Sequence, residues 1–195
     1  MNKELINKSV AAAILISLGN YALLKLGNPI GPIIFAFGLL GVCYLGANLF
    51  TGKCGFLFSD KINPIDLLII LIVNLLSGYL IGYIYSFCDQ EVVKAAVSKI
   101  ATWEISFPFF IKSIMCGIIM YIAVYMYKKG TAYGIIYGIP LFIFCGFQHC
   151  IANVITLGVA KTFDWSLLIC IIGNFIGSLL FWYLLKEEKI TTKKK

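Results

Sequence analysis

The stretch Cys145-Gly146-Phe147-Gln148-His149-Cys150-Ile151-Ala152-Asn153 places the chain's only histidine, a glutamine and an asparagine inside an apolar run. Residues 133–160 contain no aspartate, glutamate, lysine or arginine. In a lipid environment a titratable group at mid-depth is costly unless it faces protein or a water-filled path, so such residues are functional candidates. A histidine titrates near pH 6.5 when unperturbed and can offer a proton or a hydrogen bond to a passing solute. Nucleophilic chemistry fits less well. Cys150 follows His149 directly, and on a helix adjacent side chains diverge by about 100°. No aspartate or glutamate falls deep in an apolar run, so the pattern argues against an enzyme.

The elements that must position these residues are membrane spans. The chain has 195 residues, 61% of them hydrophobic, with a mean hydropathy of +0.93. A soluble domain is about 45–50% apolar. Runs long enough for a hydrocarbon core of roughly 30 Å recur along the sequence. They predict an all-α polytopic membrane protein with six spanning units in one domain, over residues 10–24, 30–50, 67–87, 107–127, 132–160 and 165–185. The opening apolar run lacks a small-residue cleavage pattern and reads as a retained span.

All 16 basic residues are lysine and the net charge is +7. Six spans put both termini on one side. That side takes eleven lysines (3, 8, 53, 61, 128, 129, 186, 189, 193, 194 and 195). The other takes Lys25, Lys94, Lys99 and Lys161, and Lys112 falls inside the fourth span. The bias predicts a multi-pass protein of the cell (inner) membrane with both termini cytoplasmic. It explains the positive charge without nucleic acid. The seven cysteines form no CxxC pair and read as small packing residues, so neither a metal site nor a cofactor is expected.

Residues 90–103 are too polar to span. Val93, Val97, Ile100 and Trp103 share one helical face, which predicts an external helix lying on the membrane or capping the domain. An extended loop is the alternative. Two spanning units look broken: one around Ala47-Asn48-Leu49-Phe50-Thr51-Gly52, the other around Gly146. Ala47-Asn48-Leu49-Phe50-Thr51 resembles Ala152-Asn153-Val154-Ile155-Thr156, and the span around Asn74 resembles the one around Asn174. The three-span spacing makes this an inverted repeat, and paired broken helices in such a repeat point to a midplane transport site. Gly78-xxx-Gly82 and Gly173-xxx-Gly177 permit close helix contact within one subunit.

These motifs resemble the formate/nitrite transporter family of pentameric, aquaporin-like channels for small monovalent anions. Gly38-Leu39 with Gly46-Ala47-Asn48-Leu49-Phe50-Thr51-Gly52 resembles that family's second helix and its break. Gly146-Phe147-Gln148-His149-Cys150-Ile151-Ala152-Asn153 resembles its Gly-Phe-Glu-His-x-x-Ala-Asn signature, and Gly173, Asn174 and Gly177 fit the sixth helix. The resemblance implies that His149 is the central pore histidine, with Asn153 its partner one turn on and Thr51 hydrogen-bonded to the histidine region. It implies that Leu39 and Phe50 form one apolar constriction and Phe142 the other. Gln148 departs from the family's glutamate. The family's lysine near the fourth span corresponds to Lys99 or Lys112, and neither aligns cleanly. The expected function is passage of formate, with nitrite or hydrosulfide as alternatives, together with a proton, through a homopentamer in the bilayer. The alternative is a non-transporting membrane subunit derived from such a channel.

Overall fold

The computed structural model describes residues 2–186. The first helix, α1 (Lys3–Leu26), begins seven residues before the expected span. The Asn2 carboxamide caps it by accepting from the Glu4 and Leu5 amides at 3.0 and 3.4 Å. A Glu4–Lys8 pair then bridges the first turn at 2.7 Å. α2 (Ile30–Tyr44) is followed by an irregular segment, the short α3 (Phe50–Lys53) and a 3-10 turn (Cys54–Phe56). α4 (Pro64–Tyr85) and α5 (Gln90–Ile100) lead to α6 (Phe107–Lys128). α7 (Tyr133–Phe144), a second irregular segment, α8 (Cys150–Val159) and α9 (Ser166–Leu185) complete the described chain. α1, α4, α6 and α9 are long and apolar enough to cross a membrane. Between them lie the two broken units, α2–α3 and α7–α8.

Both breaks are built alike. Gly46 and Gly146 have φ of 62° and 68°, a left-handed conformation in which glycine carries no Cβ penalty. The next amides, Ala47 and Phe147, each donate to the carbonyl five residues back, Val42 and Phe142, at 2.9 Å. That pattern closes a helix on a glycine. The chain then runs extended through Leu49 and His149, each of which starts a half-helix.

Backbone groups freed in this way must be satisfied inside the protein, because hydrocarbon offers no partners. Two buried asparagines do this. Asn74 accepts from the Phe50 amide at 2.8 Å and donates to the carbonyls of Ser9 and Asn48 at 2.8 and 3.1 Å. Asn174 accepts from the Cys150 amide at 2.9 Å and donates to the carbonyls of Ser113 and Gln148 at 2.8 and 2.7 Å. The Asn48 and Gln148 amides in turn donate to the Lys8 and Lys112 carbonyls.

These equivalences fix the register of the repeat. Positions one hundred residues apart correspond: Gly46 with Gly146, Asn48 with Gln148, Leu49 with His149, Asn74 with Asn174. The sequence pairing of residues 47–51 with 152–156 is therefore out of register by five, while the Asn74–Asn174 pairing stands. The likeness of Ala-Asn-x-x-Thr misleads because the backbone, not the side chain of residue 48, fills the equivalent role.

Glycines let the crossing helices touch backbone to backbone. A Cβ on Gly82 of α4 would overlap the Ile155 carbonyl of α8, and one on Gly177 of α9 would overlap the Ile114 carbonyl of α6. Both are contacts within one subunit. α5 caps the domain. Val92 and Ala96 are buried with Leu24 and Val159; of the expected face Val93, Ile100 and Trp103 are partly buried against the core and only Val97 is exposed. The helix is tethered at its start. Lys25 pairs with Asp89 at 2.8 Å and with Glu91 at 2.5 Å, and Tyr21 donates to Asp89 at 3.2 Å. Asp89 also caps α5, and the Lys25 ammonium beside it holds its carboxyl below the usual range.

Candidate functional site

His149 is positioned by the second break. As the N-cap of α8 its Nδ1 accepts from the Ala152 amide at 3.0 Å. That nitrogen is thus a lone-pair acceptor, which leaves the proton of a neutral imidazole on Nε2. Nε2 lies 2.9 Å from the Thr51 hydroxyl oxygen, so with this tautomer it donates to Thr51. The ring stacks on Phe142, with centroids 5.9 Å apart and planes at 24°. Phe35 meets Phe142 edge-on. His149 is 2% exposed and Thr51 1%.

His149 lines a cavity of about 270 Å³. Phe35, Lys99, Phe142, Gln148, His149 and Asn153 are among its lining residues. Asn153 does not bond the imidazole through its side chain. It donates to the Gln148 side-chain oxygen at 3.0 Å, and the Gln148 side-chain nitrogen donates to the Gly146 carbonyl at 3.0 Å. A glutamine can serve both bonds; a carboxylate could only accept.

The two lysines differ in placement. Lys99, on α5 outside the spans, lines the cavity and is half-buried. No ion pair involves it among the described residues, and burial lowers its amine to about 8. Lys112 is exposed and contributes only its backbone carbonyl, to Gln148.

A second cavity of about 190 Å³ is lined by the first broken unit, Asp60 and the end of α6. Its lining repeats the first at a spacing of one hundred: Val42, Gly46, Leu49 and Lys53 stand where Phe142, Gly146, His149 and Asn153 stand. Thr51 lines neither cavity, yet its neighbours Leu49 and Gly52 line the second while its hydroxyl meets His149 of the first. The Thr51–His149 hydrogen bond therefore joins a residue beside the second cavity to one that lines the first. Leu39, 1% exposed, is also in the interior and lines neither.

Phe50 shares the buried core with Leu39 and Phe142 but lines neither of these cavities. Its ring stacks on Phe175 at 6.4 Å and lines a separate apolar cleft with Leu57 and Leu71. Leu49, one residue earlier, faces the second cavity instead. Sequence reasoning overlooked Leu49 and Phe35. Setting the two breaks side by side on Gly46 and Gly146 would have matched Leu49 to His149. Nothing in the sequence marks Phe35.

Comparison with known proteins agrees with this architecture. The family model described as Formate/nitrite transporter matches residues 2–186. The chain belongs to the formate/nitrite transporter family, a family of membrane channels and transporters. It is 28% identical over 185 residues to the uncharacterized transporter YrhG of Bacillus subtilis (strain 168), covering 80% of this chain and 70% of that one. It is 28% identical over 148 residues to the formate channel FocA of Haemophilus influenzae, covering 64% of this chain and 51% of that protein. A solved structure described as an FNT family ion channel has the same fold, with a TM-score of 0.77 and 21% identity over 93% of this chain and 88% of the other.

Proposed function

We propose that this protein conducts a small monovalent anion, formate in the first instance, together with a proton, between the two cavities and past the His149–Thr51 partition. The observation that carries the reading is that hydrogen bond. It is a buried polar contact between a residue that lines the first cavity and one whose neighbours line the second. Formate is named because a relative is a formate channel; nitrite and hydrosulfide are the runners-up.

The chemistry follows from desolvation. A bare anion cannot cross a dry wall cheaply. The Lys99 ammonium draws it into the first cavity. Against Phe142 and Phe35 its charged form becomes disfavoured, so its proton affinity rises and it takes a proton from cavity water. The neutral acid needs only hydrogen bonds to pass. His149 serves as a fixed Nε2–H donor rather than an acid, because a second proton on Nδ1 would point at the Ala152 N–H. Leu49 and Leu39, together with Phe142 on the His149 side, keep water from bridging the cavities. Assembly as a homopentamer in the cell membrane with cytoplasmic termini completes the proposal.

The test is stopped-flow uptake in proteoliposomes carrying an internal pH dye, with formate, nitrite, acetate, lactate and hydrosulfide presented in turn. Selective acidification by formate is expected. No flux above empty liposomes, from a folded oligomer, would replace the reading with a non-transporting subunit.

A further inference from the structure

Lys99 stands on α5, and α5 is held against the rest of the domain in two different ways. Ala95 and Lys99, one turn apart on that helix, line the first cavity together with Leu23 and Leu24 of α1. The placement of the amine therefore depends on how α5 sits on α1. The far end of α5 is held by apolar packing, with Ile100 and Trp103 partly buried against the main core. The near end belongs to a separate small cluster, in which Val92 and Ala96 meet Leu24 and Val159.

At that near end one carboxylate faces two ways. Asp89 Oδ1 accepts from the Glu91 and Val92 amides at 2.9 and 3.4 Å and so starts α5. Its Oδ2 takes Lys25 Nζ at 2.8 Å and the Tyr21 hydroxyl at 3.2 Å, both from α1. The Tyr21 ring in turn meets Tyr85 of α4 edge-on, with centroids 4.9 Å apart. The Asp89 side chain is 15% exposed, whereas Glu91, the second partner of Lys25, is 78% exposed. Solvent screens the Glu91 pair far more than the Asp89 pair, so Asp89 is the partner that fastens the helix.

We propose that Asp89 is a positioning residue for Lys99: by clamping the start of α5 to the end of α1 it keeps this helix as one wall of the first cavity and keeps the Lys99 amine half-buried there. Ten residues separate the two, roughly 15 Å along a helix, so Asp89 acts through the placement of α5 and not by contact. The titratable groups whose charges act on the Lys99 amine are His149 of α8 and Cys170 of α9, while α1 faces the cavity with Leu23 and Leu24. Loosening the clamp would admit water to the amine. Its titration would then rise from about 8 toward the ordinary lysine value of roughly 10.4. The consequence for anion entry rests on the transport reading above; the placement of the amine does not.

The test variant is Lys25→Met/Asp89→Asn. It removes one charge of each sign, so the net charge beside the cavity is unchanged, and asparagine still caps α5. The readout is the pH dependence of Lys99 acylation by trace acetic anhydride in the purified protein, followed by mass spectrometry of the peptide that carries it. Wild-type protein should show a midpoint near pH 8. The double variant should show it higher by about one pH unit or more. Asp89→Asn alone should move it the same way by less, and Lys25→Arg should leave it in place. A midpoint that does not move in the folded double variant overturns the proposal. So does a wild-type midpoint already at the ordinary lysine value, or loss of folded protein in both the double and the single variant, which would make the pair part of the general fold.

In proteoliposomes the pH at which formate uptake falls should move with the Lys99 midpoint. A midpoint that shifts with the clamp in a protein that shows no formate flux would retain the positioning role and remove the transport reading.

Discussion

Asn174 holds the second break together, and its replacement tests how a non-helical segment survives at membrane depth. Its side chain makes three hydrogen bonds to backbone, to the Cys150 amide and the Ser113 and Gln148 carbonyls, all within 2.9 Å. The residue is fully buried. Asn174→Ala leaves the Cys150 amide and the Gln148 carbonyl unsatisfied at about 1–3 kcal/mol each, on the order of 2–6 kcal/mol in total, while the Ser113 carbonyl keeps its partner within α6. That is a large share of the stability of an ordinary domain. For a chain of this size each kcal/mol lowers Tm by about 2–4 °C, so the drop should be at least about 4 °C. Asn174→Asp is a sharper case. It keeps an acceptor for the Cys150 amide but turns both donors into acceptors facing carbonyls, so it should be as damaging near neutral pH. Thermal melting and size-exclusion profiles in detergent read the effect, with exposed Leu180→Ala as the control. The two-fold mate Asn74→Ala should behave alike. A folded Asn174→Ala oligomer melting within about 2 °C of the wild type would refute the reasoning.

Other predictions concern the pore. Lys99 carries its charge below about pH 8 and loses it above; Lys99→Met should therefore slow anion uptake about tenfold at pH 6 and far less at pH 9, with Lys99→Arg holding its rate at high pH. A difference between Lys99→Met and wild type that does not shrink with pH would count against this. Phe142→Ala removes the ring stacked on His149 and should admit lactate-sized acids, measured as relative uptake of formate and lactate. Gln148→Glu trades a neutral partner of Asn153 for a carboxylate beside the His149 cavity and should shift the pH profile of uptake; an unchanged profile would separate this position from the pore.

The long apolar runs, the two breaks and the histidine were legible in the sequence because composition and glycine placement report them directly. What was not legible depends on docking. Lys99 reads as one lysine in a polar stretch, and its inward placement follows from α5 being tied to α1 by Lys25 and Asp89. Val92 and Ala96 are buried beside the expected Val93, Ile100 and Trp103, while Val97 is exposed. At the first break the resemblance gave Phe50 as a constriction; the residue before it, Leu49, is an extended N-cap that lines the second cavity, a place no side-chain pattern marks. The repeat register was missed because its conserved roles lie in backbone amides and carbonyls, which a comparison of side chains does not see.

His149 also caps α8, so His149→Ala removes a cap worth about 0.5–2 kcal/mol along with the pore donor. His149→Asn separates the two roles: asparagine still caps the helix, but it is too short to reach Thr51. The most direct measurement is formate uptake by proteoliposomes containing folded, oligomeric His149→Asn protein. The account predicts flux at the level of empty liposomes with melting close to wild type. Wild-type flux from that variant would show that the Nε2–H at the partition takes no part in conduction.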